Sequence, residues 1–188
     1  MPKDVIDLLT LDHREVEQMV RQLTLEPPER RRELADAVIG HLVRHSVAEE
    51  AIVYPVMQIQ LPDGKDAVEH DKREHRELES LMKRMEATEA GGPEFFELVG
   101  RLQAVLADHI SDEEDKHFPA LRAALDPQVR SAMGLAVEAL KHVAPTRPHP
   151  GTPQSPLFHL TVGPGVGLVD RLKDALMSKT KVYSGAGT

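Results

Sequence analysis

Residues 45–55 read HSVAEEAIVYP, and residues 109–119 repeat this pattern as HISDEEDKHFP. A second match precedes each of these stretches, pairing DHREVEQM at 12–19 with EHRELESL at 74–81. Because the two matches occur in the same order along the chain, the sequence contains a duplicated unit of two helices. We predict two similar helical hairpins that pack about a pseudo-twofold axis.

The repeat aligns residues that can bind metal ions. The first segments of the two hairpins each contain one aligned histidine, and the second segments each contain an aligned His-x-x-x-Glu motif. Residues four apart project from one face of a helix, about 6 Å apart along its axis. The pattern therefore predicts two half-sites for a pair of ions in the bundle interior, with the candidate metal ligands His13, His45, Glu49, His75, His109 and Glu113.

Helical periodicity extends through residues 1–142, where apolar residues recur at steps of three and four. Pro and Gly interrupt it at 27–28, 62–64 and 91–93, which leaves four amphipathic segments. Short breaks place consecutive helices side by side in opposite directions. We predict an all-α protein, an antiparallel up-down-up-down four-helix bundle.

The bundle is predicted to occupy residues 1–126, followed by a C-terminal extension over 127–188. Asp126-Pro127 can start a fifth helix that ends near Lys141. Residues 144–156 contain five prolines and are interpreted as a linker. A short amphipathic helix is expected at 168–177, where it either docks on the bundle or stays detached.

Composition narrows the chemistry. The 188 residues include no cysteine, which excludes disulfides, thiol nucleophiles, Fe–S clusters and Cys-ligated zinc. The net charge is −8 without an evident basic patch, so we expect no nucleic-acid partner. No apolar run approaches the roughly 20 residues that cross a bilayer, and we expect a soluble cytoplasmic protein without membrane contact.

Residues 1 to about 125 resemble the hemerythrin-like, or HHE cation-binding, family, and the Pro-rich tail is similar to that of actinobacterial members. The resemblance implies a four-helix bundle around a non-haem di-iron centre, two iron ions with an oxo or hydroxo bridge, bridging carboxylates and terminal histidines. By motif, the implied ligands are His13 from the first helix, His45 and Glu49 from the second, His75 from the third, and His109 and Glu113 from the fourth.

The sequence departs from the oxygen-carrier pattern at two positions. That pattern has a histidine four residues before the third-helix ligand, where this chain has Asp71 with His70 beside it. Its last helix has His-x-x-x-x-Asp, whereas His109 here is followed by Glu113 at four residues and Glu114 at five. His70 is a candidate extra ligand that needs a local helix bulge, and Asp71 is the alternative, as a ligand or by orienting an imidazole.

Histidine and carboxylate ligands suit Fe, Mn or Zn, and the resemblance favours iron. Open positions on two irons would accept O₂, hydrogen peroxide or NO. Our first hypothesis is a catalase- or peroxidase-like enzyme that decomposes hydrogen peroxide or oxidises NO in oxidative and nitrosative stress defence. The alternative is a reversible O₂ or NO carrier or sensor. Iron storage or iron sensing is a third, and one site per chain holds too little iron for storage.

Tyr54 is the main asymmetry between the two hairpins, because its partner in the repeat is Phe118. Helical arithmetic places Tyr54 off the stripe of His45 and Glu49, which favours a packing role. Pro55 disfavours α geometry at the preceding residue and predicts a kink that re-aims the ring. The second interpretation makes Tyr54 a gate or labile ligand at the open metal position.

Overall fold

The computed structural model describes residues 4–148, and this part of the chain consists of helices joined by short turns, with no strand, which confirms the all-α prediction. Two π-helical turns, Glu49–Val53 and Glu113–His117, each join two α-helices. The α-helices are α1 (Val5–Leu23), α2 (Pro28–Ala48), α3 (Tyr54–Gln60), α4 (Gly64–Ala87), α5 (Pro93–Asp112), α6 (Phe118–Ala124) and α7 (Pro127–Val143). The predicted helix at 168–177 lies outside the described residues.

Four rods form the bundle. The first is α1, the second is α2 with α3, the third is α4, and the fourth is α5 with α6. Helix α1 packs against α2 and α5, and α4 packs against α5, α2 and α3. The rods meet at the predicted breaks, since α2, α4 and α5 begin at Pro28, Gly64 and Pro93. The four-helix bundle is therefore confirmed.

The π-helical turns explain how the second and fourth rods tolerate an internal proline. The amide of Tyr54 donates to the carbonyl of Glu49, and that of Phe118 to the carbonyl of Glu113, five residues back. Pro55 and Pro119 follow immediately. A proline ring clashes with the carbonyl four residues before it, and a wider turn relieves this clash.

The kink expected at Tyr54 has a different form. Tyr54 itself has α-helical angles, φ −61° and ψ −39°, so the predicted departure from α geometry at this residue is wrong. The irregularity lies in the five residues before it. The extra residue in the π turn also shifts the phase of α3, and Ile59, which continues the predicted apolar stripe, is 46% exposed.

Helix α7 is the predicted fifth helix, and it packs against α1 and α2. Its apolar stripe is buried at Met133, Val137 and Leu140. The guanidinium of Arg130 donates to the Asp4 carboxylate at 2.6 Å and also to backbone carbonyls at the end of α6. Among residues 4–148, no helix has the length and apolar character that a membrane span requires.

Candidate metal centre

The structure brings the six predicted ligand residues together in the bundle interior. The histidines project from the α-helices, and both glutamates begin the π-helical turns. All six side chains are buried: His13 on α1, His45 at the end of α2, Glu49, His75 on α4, His109 at the end of α5, and Glu113.

The cluster has two halves. In half-site 1, the Nε2 atoms of His13 and His45 are 3.2 Å apart. In half-site 2, the Nε2 atoms of His75 and His109 are also 3.2 Å apart. When both rings of a pair carry their proton on Nδ1, the two Nε2 lone pairs face each other, and one cation between them satisfies both. The geometry is that of two pairs of nitrogens, each able to bind one ion.

The two buried glutamates lie between the half-sites. Glu49 Oε1 is 3.0 Å from His45 Nε2, and Glu49 Oε2 is 3.4 Å from His75 Nε2. Glu113 Oε2 is 3.2 Å from His13 Nε2 and 3.7 Å from His109 Nε2. Each carboxylate thus contacts one histidine of each half, which is the placement that a bridging ligand needs.

The cluster fits a pair of cations. Within residues 4–148, no carboxylate oxygen of Glu49 or Glu113 makes a hydrogen bond of good geometry. Two buried carboxylates left in this state would be costly. Nitrogen and oxygen donors without thiolate suit iron, manganese or zinc, and the donors of each half lie within 4.8 Å of one another.

Four more carboxylates, which the sequence analysis missed as site residues, orient the imidazoles. Each lies near the Nδ1 atom of one ligand histidine and fixes the tautomer that leaves Nε2 free for a metal. We call them the outer carboxylates: Glu114 with His13 at 2.8 Å, Asp12 with His45 at 3.4 Å, Glu50 with His75 at 3.1 Å, and Glu74 with His109 at 3.0 Å.

A signal for the outer carboxylates is present in the repeat. An acidic residue directly precedes the histidine of each first motif, as Asp12 and Glu74. Each His-x-x-x-Glu motif is followed directly by another glutamate, which is Glu50 in the first hairpin and Glu114 in the second. A carboxylate that recurs beside every candidate ligand is expected of second-layer hydrogen bonding, which nearly every metal-binding histidine has.

The carboxylates dominate the electrostatics of the metal-free site. Burial alone would lower the pKa of His13, but close contacts with Glu113 and Glu114 raise it to about 10. Burial opposes protonation of His75 in the same way, and Glu49 and Glu50 raise its pKa to about 10. Without metal, both imidazoles are therefore protonated at neutral pH.

Tyr54 lies in half-site 2. Its hydroxyl is 3.1 Å from His75 Nε2, and its ring stacks on that imidazole with centroids 5.5 Å apart. Phe118 stacks on His13 in the matching position, with centroids 5.8 Å apart and no hydroxyl. The π turn explains the placement, because a residue five positions after Glu49 returns to the same face when the hydrogen bonds run from i to i−5.

His70 does not join the cluster. Its side chain is 45% exposed, and its Nε2 lies 3.3 Å from Glu74 and 3.3 Å from Asp112. Helix α4 is regular there, so the bulge needed to turn His70 inward is not formed. Asp71 is fully buried and faces His117 Nδ1 at 3.3 Å, and its carboxylate also lies within 4.8 Å of a ring nitrogen of the predicted ligand His109.

Replacing His70 by alanine is expected to leave the metal content unchanged, because the imidazole points to the surface. Metal analysis of the purified variant beside the unaltered protein checks this. A loss of close to half of the bound metal would instead identify His70 as a ligand and imply that α4 rearranges on metal binding.

Comparisons with known proteins agree with this geometry. The model of the Hemerythrin HHE cation binding domain matches residues 4–121. An uncharacterised hemerythrin-like protein of Schizosaccharomyces pombe is 30% identical over 139 residues, which are 73% of this chain and 68% of that protein. A DNA nickase of a Nostoc species is 25% identical over 73% of this chain but only 39% of its own length.

The fold is also found in a solved structure. A hemerythrin HHE cation binding domain-containing protein of Mycobacterium kansasii superposes with a TM-score of 0.64 at 18% identity, over 90% of this chain and 99% of that one. The family model spans the four rods that carry all six candidate ligands. The chain therefore belongs to the hemerythrin HHE cation-binding domain family.

Proposed function

We propose that the protein holds two iron ions at this centre and turns over small oxidants, decomposing hydrogen peroxide or oxidising NO with peroxide. The observation that supports this most is the bridging placement of Glu49 and Glu113, whose oxygens lack hydrogen-bond partners among residues 4–148. In the peroxide reaction, one molecule is reduced to water while a second is oxidised to O₂. In the NO reaction, one peroxide converts two NO to two nitrous acid molecules.

Redox-active ions would supply the electron transfer, and the chain supplies the ligands. The histidines of half-site 1 and of half-site 2 would each hold one ion through Nε2, and the two glutamates would bridge them. With four histidines and two carboxylates as the only protein ligands, the two ions would keep positions open to a small molecule. The outer carboxylates hold each imidazole through Nδ1 and increase its basicity toward the metal.

The position and protonation of Tyr54 favour a reaction at half-site 2. Burial raises the pKa of its phenol well above the ordinary value, and the surrounding carboxylates, Glu49 first, add to the shift. The phenol of the metal-free protein is therefore protonated and can donate a hydrogen bond. Bound dications would reverse the local charge and favour the phenolate, so Tyr54 is placed to act as a proton donor or a labile ligand there.

The function is tested by metal analysis, an absorption spectrum and an oxygen electrode. We expect about two irons per chain, near-ultraviolet absorption from the ferric pair, and O₂ evolution when peroxide is added. One tightly bound zinc, or no metal after expression in iron-replete medium, would contradict the metal assignment. A stable oxygenated spectrum that reverses under vacuum, without O₂ evolution, would favour a carrier over an enzyme.

Replacing Tyr54 by phenylalanine is expected to keep both irons, to remove any visible band from charge transfer between the Tyr54 phenolate and iron, and to change the rate of peroxide decomposition. The hydroxyl is lost, while the ring that stacks on His75 is kept. Phe118→Tyr is the matched variant, because it adds a hydroxyl beside His13 in the other half. If the spectrum and the rate are identical in Tyr54→Phe, Tyr54 only packs against the site.

A further inference from the structure

The outer carboxylates of half-site 1 are each paired with a permanent cation. The ammonium of Lys141, on α7, forms an ion pair with Asp12, which orients His45. The guanidinium of Arg14 contacts Glu114, which orients His13. Lys141 is only 19% exposed and Arg14 is 53% exposed, so solvent screens the charge of Lys141 much less.

Half-site 2 has no such pairs. Among residues 4–148, no lysine or arginine nitrogen lies within ion-pair distance of Glu50 or Glu74. Glu74 is approached by His70 instead, at 3.3 Å. Lys116 pairs with Asp112 at the surface and acts on Glu74 only at longer range.

The difference in charge between the two half-sites has two sources. Arg76 aligns with Arg14 in the duplicated motif, but its guanidinium turns to Glu69 at 3.3 Å rather than to Glu50. Lys141 has no counterpart in the repeat, because α7 follows the second hairpin and packs mainly on α1, α2 and the π-helical turn Glu49–Val53. The helix outside the duplicated unit thus adds charge to one half only.

Other charged groups near the two halves do not cancel this difference. Glu113 acts in the opposite sense, since its Oε2 lies 3.2 Å from His13 Nε2 and 3.7 Å from His109 Nε2, but this carboxylate contacts both halves, whereas Lys141 is paired in half-site 1 only. Beside Asp12 lie Glu15, which is exposed, and His41. Burial lowers the pKa of His41 to about 4, so it adds no positive charge at neutral pH. Near half-site 2, the buried carboxylate of Asp71 faces His117. None of these groups places a permanent cation on Glu50 or Glu74.

We propose that Lys141 makes the two metal positions inequivalent, so that half-site 2 binds a divalent cation first and more tightly than half-site 1. This inference rests on the proposed two-metal centre and deepens it. A cation beside Asp12 repels an incoming dication and withdraws negative charge from the carboxylate that polarises His45. Lys141 is accordingly a positioning residue that acts through Asp12 and His45 without touching the metal.

The order of binding is measured with Co²⁺ as the probe metal. Crystals of the full chain with one equivalent of Co²⁺ give the occupancy of each half-site from anomalous scattering. We expect about threefold higher occupancy in half-site 2, which at one equivalent corresponds to about a tenfold difference in affinity, the scale on which outer partners change metal binding. Lys141→Gln should bring the two occupancies close to equality, and Lys141→Arg should keep the original preference.

A second variant tests the same idea by adding charge. His70→Lys places a cation beside Glu74 and should lower the occupancy of half-site 2 while Lys141 is still present. The double variant with Lys141→Gln should reverse the order. If Lys141→Gln fails to fold, His70→Lys alone decides the question. Arg147→Gln is the control, because this exposed cation pairs with Asp36 and Glu86 away from the centre.

The outcomes separate this inference from the proposed function. Failure of the protein to bind a second Co²⁺ at saturation would overturn the two-metal centre itself. Two Co²⁺ ions bound at saturation, with equal occupancies of the two half-sites at one equivalent, would leave that centre intact and overturn the role of Lys141. A Lys141→Gln protein that melts at a lower temperature but keeps its order of loading would also overturn it, since Lys141 would then only hold α7 in place.

Discussion

Replacing Glu49 by alanine is expected to remove both metal ions, with affinity falling by more than about 100-fold. Partners in the second layer of a metal site already cost 10- to 100-fold when removed. Glu49 belongs to both groups of donors, since its two oxygens face His45 and His75 in different halves. Isothermal titration of the metal-free protein with Co²⁺, and metal analysis after iron loading, measure the loss.

Glu113→Ala and Glu77→Ala complete the comparison. Glu113 is the other candidate bridge, and it groups with the histidines of half-site 1, so its loss should weaken that half most. Glu77 is exposed on α4 and pairs with Arg101, so its removal should leave metal binding unchanged. Full iron retention in both Glu49→Ala and Glu113→Ala would contradict the bridging roles.

The thermal stability of these variants should depend on whether they still bind metal. A centre whose ligands come from all four rods links metal binding to folding, because the unfolded chain has no preformed site. The Glu49→Ala protein should therefore gain little thermal stability from added Co²⁺, whereas Glu77→Ala should gain as much as the unaltered chain. Melting curves with and without metal measure this difference.

The duplicated motifs are sufficient to predict the bundle and the six clustered side chains. A repeat of His and His-x-x-x-Glu on core-facing positions leaves few other folds, since each rod must bury the same stripe. The loops are equally predictable, because Pro28, Gly64 and Pro93 begin helices at the breaks. That the six clustered side chains bind metal remains a prediction, which the Glu49 and Glu113 variants test.

The π-helical turns could not be obtained from α-helical arithmetic. A period of 3.6 residues places Tyr54 away from Glu49, and only the wider turn returns it to the site. The clue was the pair of prolines at equivalent positions, Pro55 and Pro119, which indicates an irregular turn without giving its type. The exposure of Ile59 and the inward placement of Tyr54 have this one cause.

The charge difference between the halves was also beyond a reading of the motifs. Arg14 and Arg76 occupy equivalent positions, but their side chains contact different partners. Lys141 is 129 residues from Asp12 in sequence, and its contact depends on how α7 docks. Long-range ion pairs of this kind require the tertiary arrangement, which local spacing does not encode.

The metal-free protein is expected to lose stability as the pH rises from about 7 to 10. The pKa values of His13 and His75 are raised to about 10 in the folded state, against an ordinary 6.5. A raised pKa stabilises the fold fully below the unfolded value, and this contribution disappears as the pH passes through the folded value. Both imidazoles are buried, so the combined effect should reach several kcal/mol.

Metal affinity should show the opposite dependence on pH. A metal ion must displace the protons of His13 and His75, so affinity should rise with pH over the same range and about two protons should be released at neutral pH. Titrations with Co²⁺ in buffers of different ionisation enthalpy count these protons. Melting curves of the metal-free protein from pH 6 to 10 measure the loss of stability.

Glu114→Gln supplies the sharpest test of this linkage. The substitution removes the negative charge that faces His13 Nδ1 at 2.8 Å, so the pKa of His13 should fall toward its ordinary value. The variant should then lose less stability between pH 7 and 10 and release fewer protons when metal binds. Glu77→Gln, at the surface, should behave as the unaltered protein. Identical pH profiles for Glu114→Gln and Glu77→Gln would show that the outer carboxylates do not hold these protons.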